Sequence, residues 1–373
     1  MVLSSRIKTE TAPSPGAVTH QEVFQQPHLW PTTLRIVVQT RPLELRADQP
    51  VILTGAGTSA YAAAAIAAAW PGAQAVATTD LLIEGRDDIE RRYPSFPGEG
   101  LLISLGRSGD SPESVAVVKR LERLCPKVEH LAITCNADGQ LAHMPRMRSI
   151  VLDPRTNDKS LAMTSSFSNL VLAGLCLRFG SEVESFLPKV CMDVERRLPE
   201  MDALAQQLGV GEIQRALILA SGALSPLATE TALKILEMTA GGTATLAESF
   251  LGLRHGPMSF VTPDTLVLCF LSSSVERRRY EQDLIGELRR KGLGRIIGVI
   301  PADADKSLFD EWVPASAGHI RDDLRVPFEI PFAQLLAYHL SLQAGLDPDN
   351  PSPRGAITRV VQKFAIYGDE PHV

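Results

Sequence analysis

Short apolar runs ending in small or hydroxyl-bearing residues punctuate the chain. The first set is Val51-Ile52-Leu53-Thr54, Leu101-Leu102-Ile103-Ser104 and His130-Leu131-Ala132-Ile133-Thr134. Helical patterns lie between them, Ala60 to Ala69 and Pro112 to Leu124, the second placing Val115, Val118 and Leu121 on one face. Strands that are apolar throughout and alternate with helices predict a parallel sheet covered on both sides. The pattern recurs as Ala216 to Leu219, Leu266 to Phe270 and Ile296 to Ile300. Gly57 and Gly222, Leu101 and Leu266, and His130 and Arg295 are each 165 positions apart, a constant offset that marks an internal duplication. The predicted fold is α/β: two tandem, doubly wound parallel-sheet domains, each a flavodoxin-like three-layer αβα sandwich. The expected organisation is an N-terminal arm over 1–47, a first domain over 48–205, a second over 206–346 and a tail over 347–373. A helical stretch from Val183 to Gln207 is expected to join the halves. Ligands of such sheets bind at the carboxyl ends of the strands.

Composition narrows the class. Of 373 residues, 45% are hydrophobic and 21% charged, and 37 basic against 43 acidic side chains leave a net charge of -6. That is too apolar and too weakly charged for a disordered chain, and not the basic balance of a domain built to hold nucleic acid. No apolar run reaches the ~18 residues of a membrane span, and the first twenty residues carry no signal-peptide core. Five widely spaced cysteines, with no Cys-x-x-Cys and no His-Glu-x-x-His, point to buried reduced thiols in a cytoplasmic protein. Neither a metal site nor a membrane or nucleic-acid partner is expected.

Candidate chemistry gathers at the strand ends. After the first strand, Gly55-Ala56-Gly57-Thr58-Ser59-Ala60 fits Gly-x-Gly-x-x-Ala, with Asp80 some twenty residues on. A nicotinamide dinucleotide and a small anion at a helix N-terminus both suit this loop, and Ala220 to Leu224 in the second half does not repeat it. The second strand runs into Gly106-Arg107-Ser108-Gly109-Asp110-Ser111-Pro112-Glu113-Ser114, with Ser111 at the N-cap and Pro112 at the first helical position. This is either an ordinary Ser-rich capped turn or, with free N–H groups, the hydroxyls of Ser108, Ser111 and Ser114 and the Arg107 guanidinium, a cradle for a phosphate. Two hydroxyl-rich loops after adjacent strands favour the cradle. No Walker lysine pattern is present, so a nucleoside triphosphate is not indicated. Met163-Thr164-Ser165-Ser166 opens a further helix and offers hydroxyls to a sugar. In the second half, Ser225-Pro226 starts a helix with Ala228, Ala232, Ile235 and Leu236 on one face and Glu230, Lys234 and Glu237 on the other. That charged stripe is either a solvated, salt-bridged face or acid–base machinery. His255, in Arg254-His255-Gly256-Pro257, is either a structural imidazole or a proton shuttle.

Thr54 to Ser59, Gly106 to Ser114, Ala162 to Ser166 and Phe250 to Pro257, with Gln26-Pro27 and Trp30, resemble the sugar isomerase (SIS) superfamily. They resemble more closely its AgaS branch of tagatose-6-phosphate ketose/aldose isomerases, associated with galactosamine-6-phosphate deamination. The similarity spans about Glu22 to Val361. The resemblance implies two SIS domains and a cofactor-independent enzyme that converts galactosamine 6-phosphate to tagatose 6-phosphate with release of ammonia. A glucosamine-6-phosphate isomerase/deaminase and a non-catalytic sugar-phosphate sensor are the alternatives. By likeness to the isomerase half of glucosamine-6-phosphate synthase, Ser108 and Ser111 would hold phosphate, and Thr58 and Ser59, after Gly57, would hold the sugar. Glu237 would be the base at C1 and C2, Lys234 would serve the sugar, and His255 would open the ring from a neighbouring subunit, implying a homodimer with shared active sites. Gly106 and Arg107 depart from a Ser-Gln pair in that enzyme, which implies a phosphate held more by charge. The tail from Pro353 to Arg359 resembles a segment that closes over the site, with Thr358 at the place of a functional lysine and Arg359 as a candidate contact. About 45 residues precede the first strand, too few for a glutamine-hydrolysing domain.

Overall fold

The computed structural model describes residues 14–40, 45–46, 48–362 and 364–367. The expected arm and tail therefore fall partly outside it, at residues 1–13, 41–44 and 47 and at residues 363 and 368–373.

Two five-stranded parallel sheets carry the fold. The first contains β1 (Val51–Thr54), β2 (Ala73–Ala75), β3 (Leu101–Gly106), β4 (Glu129–Thr134) and β5 (Met147–Val151), in the order β2-β1-β3-β4-β5. The second contains β6 (Arg215–Leu219), β7 (Ala244–Glu248), β8 (Leu266–Phe270), β9 (Arg295–Ile300) and β10 (Glu311–Pro314), in the order β10-β9-β8-β6-β7. The two orders are the same winding, so the predicted duplication is present. Val51 faces Leu101 across β1 and β3, and Ala216 faces Leu266 across β6 and β8, both 165 positions on. The third pair slips by one residue: Leu101 faces Glu129, whereas Leu266 faces Arg295.

The expected strands are the inner ones, buried along almost their whole length. The strands that the apolar pattern does not announce, β2, β5, β7 and β10, all lie at sheet edges and are half covered. An edge strand needs one apolar face at most, so it leaves no continuous run.

Helices pack the two sheets together. The arm forms α1 (Ala17–Phe24) and α2 (Gln26–Thr40), and the first sheet is followed at its switch point by α3 (Thr58–Ala69) and α4 (Pro112–Leu124). The 44-residue α5 (Ser165–Leu208) starts well before the expected Val183 and bends at Phe179, whose φ of -120° and ψ of 27° are not helical. Its first part, Ser165 to Leu177, is buried on all sides; beyond the bend burial narrows to a stripe that includes Val183, Leu187, Val190, Val194, Leu198, Met201, Ala205 and Leu208. The second half adds α6 (Ser225–Met238), α7 (Val275–Arg290) and α8 (Val326–Gln343). The largest of three apolar clusters runs from β1 and β3 through α5 and α8 to β6 and β8, so the halves share part of their interior. Trp30 of α2 is fully buried in it and donates through Nε1 to Ser168 Oγ at 3.1 Å, which ties the arm to α5.

Candidate active site

A cavity of about 630 Å³ opens where the carboxyl ends of β1 and β3 meet α6 of the other half. Gly57, Thr58, Ser59, Arg107, Ser108, Ser111, Ser114, Lys234, Glu237 and Arg359 all line it. Leu105, Leu141, Leu161 and Met163 give it an apolar wall, and Gly355 to Gln362 of the tail form another side.

Backbone geometry shapes the two loops. Gly57 turns the chain into α3 at φ 56° and ψ -129°, a region closed to other residues. Gly109 sits at φ 69°, and a Cβ there would lie 3.2 Å from Thr134 Oγ1 and 3.3 Å from Gly139 Cα. Asn136 Nδ2 donates to Ser108 O at 2.9 Å, and the Asp110 amide donates to Ser108 Oγ at 3.2 Å, which brace the turn. Ser111 occupies the N-cap position, but its hydroxyl donates to Glu113 Oε2 at 2.6 Å and makes no cap bond. The first amides of α4 are thus left to an incoming acceptor.

Arg107 lies at the cavity wall, buried, and burial pulls its guanidinium below the usual range. Its donors go to Ser160 O at 3.3 Å, Leu161 O at 2.9 Å and Arg359 O. It brings charge to the cradle while its hydrogen bonds clamp loop and tail. Arg359, the tail's candidate contact, lines the cavity, and its Nε and Nη2 donate to Asp158 O at 2.9 and 2.5 Å, and Nη2 to Asn157 Oδ1 at 2.6 Å. It fastens the tail to the loop before α5. Thr358 is exposed, its hydroxyl donating to Val360 O at 2.7 Å.

Thr164 and Ser165 do not offer their hydroxyls to the cavity, which corrects the expectation that they serve a sugar. Both are fully buried. Asp158, absent from the sequence-derived candidates, accepts from Thr164 N (2.7 Å), Thr164 Oγ1 (3.0 Å), Ser165 N (3.0 Å), Ser166 N (2.9 Å) and Ser166 Oγ (2.5 Å). One carboxylate satisfies the orphan amides that open α5. Ser165 Oγ donates to Glu22 O at 2.6 Å. Glu22, beside Asp158, accepts from the Lys159 amide at 2.5 Å; burial first, and Asp158 second, push its carboxyl up to about 7.

The charged stripe of α6 is not solvated. Glu230 and Lys234 are fully buried against α3, whereas Leu236, expected on the apolar face, is exposed. Lys234 Nζ donates to Glu237 Oε2 at 2.5 Å and Thr58 Oγ1 at 2.9 Å, joining the halves. Burial works against the ammonium, but Glu230 and Glu237 outweigh it and lift Lys234 above its usual value. Burial pushes Glu230 up to about 8. Tyr61 of α3 is raised by burial and by the same two carboxylates. Ser108 and Glu237, from different halves, therefore face one cavity within one protomer.

His255 is not brought to this cavity. It is exposed on a short turn whose Arg254 is anchored to Glu287 at 2.8 Å and Asp283 at 2.7 Å on α7. Among the described residues no cluster of three or more His, Cys, Asp or Glu could hold a metal ion, and no helix is long and apolar enough to cross a membrane.

No protein-family model matches the sequence. The chain is 36% identical to the D-galactosamine-6-phosphate deaminase AgaS of Shewanella sp. (strain ANA-3), over 94% of this chain and 91% of that protein. It is 34% identical to the Escherichia coli D-galactosamine-6-phosphate deaminase AgaS, over 96% of this chain and 98% of that one. The structure of tagatose-6-phosphate ketose/aldose isomerase from Escherichia coli superposes with a TM-score of 0.82 at 31% identity, covering 96% of this chain and all of the other.

Proposed function

The chain belongs to the AgaS family of SIS-type phosphosugar isomerases, and from that premise we propose that it deaminates galactosamine 6-phosphate to tagatose 6-phosphate. The carrying observation is that the Ser108–Ser111 loop and the Glu237 carboxylate line one cavity. The phosphate docks on the hydroxyls and amides at the start of α4, and this remote binding energy orients C1 and C2. His255 of a neighbouring subunit opens the pyranose, in a homodimer whose sites are shared. Its exposed turn, fixed by Arg254, suits donation across an interface.

Glu237 then removes the proton from C2 of the open aldehyde, giving an enolamine, and a proton is delivered to C1. Lys234 steadies the oxygen on C1 as charge develops. The resulting ketimine takes up water at C2 and releases ammonia, leaving the ketose 6-phosphate. Every step is a proton transfer or hydration, so the overall change is redox-neutral and the scheme uses no cofactor. The reaction is placed in the cytoplasm, where phosphosugars are found.

The test is ammonia release from galactosamine 6-phosphate and from glucosamine 6-phosphate, with ketose measured alongside. Ammonia and tagatose 6-phosphate in equal amounts, with the galacto sugar preferred, is the expected outcome. Tight binding of both sugars without turnover of either contradicts it and points to a sensor.

A further inference from the structure

One ammonium lies between two carboxylates where the halves meet. Glu230 and Lys234 have no solvent-exposed side-chain surface; Lys234 and the 23% exposed Glu237 line the cavity, and Glu230 lies behind them. Glu230 Oε1 lies 3.4 Å from Lys234 Nζ and accepts from Thr58 Oγ1 at 3.3 Å. Glu230 Oε2 has no hydrogen-bond partner among the described residues. Burying a carboxyl group so incompletely satisfied is costly, and an apolar side chain of similar volume would pack there at least as well. Packing therefore does not account for an acid at this position.

We propose that Glu230 is a positioning residue for the proposed reaction: it holds the Lys234 ammonium at the junction of Thr58 and Glu237, and its protonation state decides whether that ammonium faces the reacting carbons. The inference rests on the proposed function and assigns a role to a residue that does not line the cavity. The groups around Glu230 are Lys234 and Glu237 on α6, Thr58 and Tyr61 on α3, and, acting on Lys234, Arg107 at the end of β3. Burial, with Glu237 adding, holds the proton on Glu230 up to about pH 8. Below that, the single positive charge pairs with Glu237 alone. Above it, a second carboxylate forms 3.4 Å away and draws the ammonium off Glu237.

The experiment is a pH profile of kcat and KM for ammonia release by the full chain and its Glu230→Gln and Glu230→Leu variants. In the wild type, kcat falls at least about fivefold from pH 7 to about pH 9.5 while KM stays steady. Glu230→Gln, neutral and nearly isosteric, keeps kcat within about threefold at pH 7 and does not show that fall. Glu230→Leu loses about 100-fold in kcat at pH 7, with KM within about twofold. A merely structural role would lower thermal stability and leave the shape of the profile unchanged. A Glu230→Gln profile that keeps the alkaline fall, or a Glu230→Leu variant with wild-type kcat, overturns the proposal. If the Leu variant does not fold, the Gln profile decides.

A readout without turnover separates this proposal from the function it rests on. In protein carrying 13C-labelled glutamate carboxyls, one resonance titrates near pH 8 in the wild type and is missing from Glu230→Gln. If that signal is found but no hexosamine 6-phosphate turns over, the proposed function fails and the coupled acid stands. Turnover without the signal overturns the role of Glu230 alone.

Discussion

Arg359→Ala is expected to loosen the tail and raise KM. The substitution removes two hydrogen bonds to Asp158 O, at 2.9 and 2.5 Å, and one to Asn157 Oδ1 at 2.6 Å. The guanidinium is only half-buried, so each bond is worth less than the ~1.5–3 kcal/mol of a buried charged one, about 1 kcal/mol, and together they hold the tail by about 2–3 kcal/mol. The Arg359 carbonyl still accepts from Arg107, so the tail is released at one anchor and kept at the other. A bias of that size corresponds to about a 30- to 150-fold change in the open-to-closed ratio. Because Gly355 to Gln362 form one side of the cavity, KM for the phosphosugar rises by up to that factor, while kcat changes less. Steady-state ammonia release gives KM, and trypsin cleavage after Arg354 reports opening directly. Arg359→Lys, which keeps one donor, should recover about half of the free energy. Unchanged KM together with an unchanged cleavage rate refutes the latch.

Other substitutions probe separate parts of the molecule. Gly109→Ala must hold φ near 69° with its Cβ 3.2 Å from Thr134 Oγ1, so about 1–2 kcal/mol of strain deforms the cradle; KM for sugar phosphate rises about tenfold, measured beside an unchanged far-UV spectrum. Trp30→Ala opens a cavity under α2 and strips Ser168 of a donor, costing about 3–5 kcal/mol in urea unfolding. Glu22 is pushed up from 4.5 to about 7, so the folded state holds its proton more tightly than the unfolded one. Its contribution to stability is present below about pH 4.5 and is lost as pH rises to about 7; Glu22→Gln should flatten the dependence of the urea midpoint across that window.

The inner strands and the duplication were legible because a strand buried on both faces must be apolar throughout. The edge strand Ala73–Ala75, with two exposed residues, had no such constraint to betray it. Thr58 and Ser108 could be picked out as hydroxyls in the loops after the first two inner strands, and Lys234 and Glu237 as a charged face opposite an apolar one. Each also had an ordinary structural reading, as a cap or a solvated stripe, and the family resemblance decided between them. Their convergence was not legible, since helical period alone does not say whether Glu230 and Lys234 meet water or the other half of the chain. Asp158 lies six residues before Thr164, outside the register of a local cap, so only the folded loop brings it to the start of α5. Arg107 and Arg359 do line the cavity, but the sequence could not show that their donors also go to backbone carbonyls and tie the tail to the loop before α5.

The most direct measurement follows galactosamine 6-phosphate by NMR in the presence of wild-type protein and of Glu237→Gln. With the wild type, the sugar resonances should give way to tagatose 6-phosphate and one equivalent of ammonia. With Glu237→Gln, the 31P signal should still shift on binding while conversion slows by at least about a thousandfold. Conversion by Glu237→Gln at the wild-type rate would remove the carboxylate from the chemistry, and binding by the wild type with no conversion would contradict catalysis altogether.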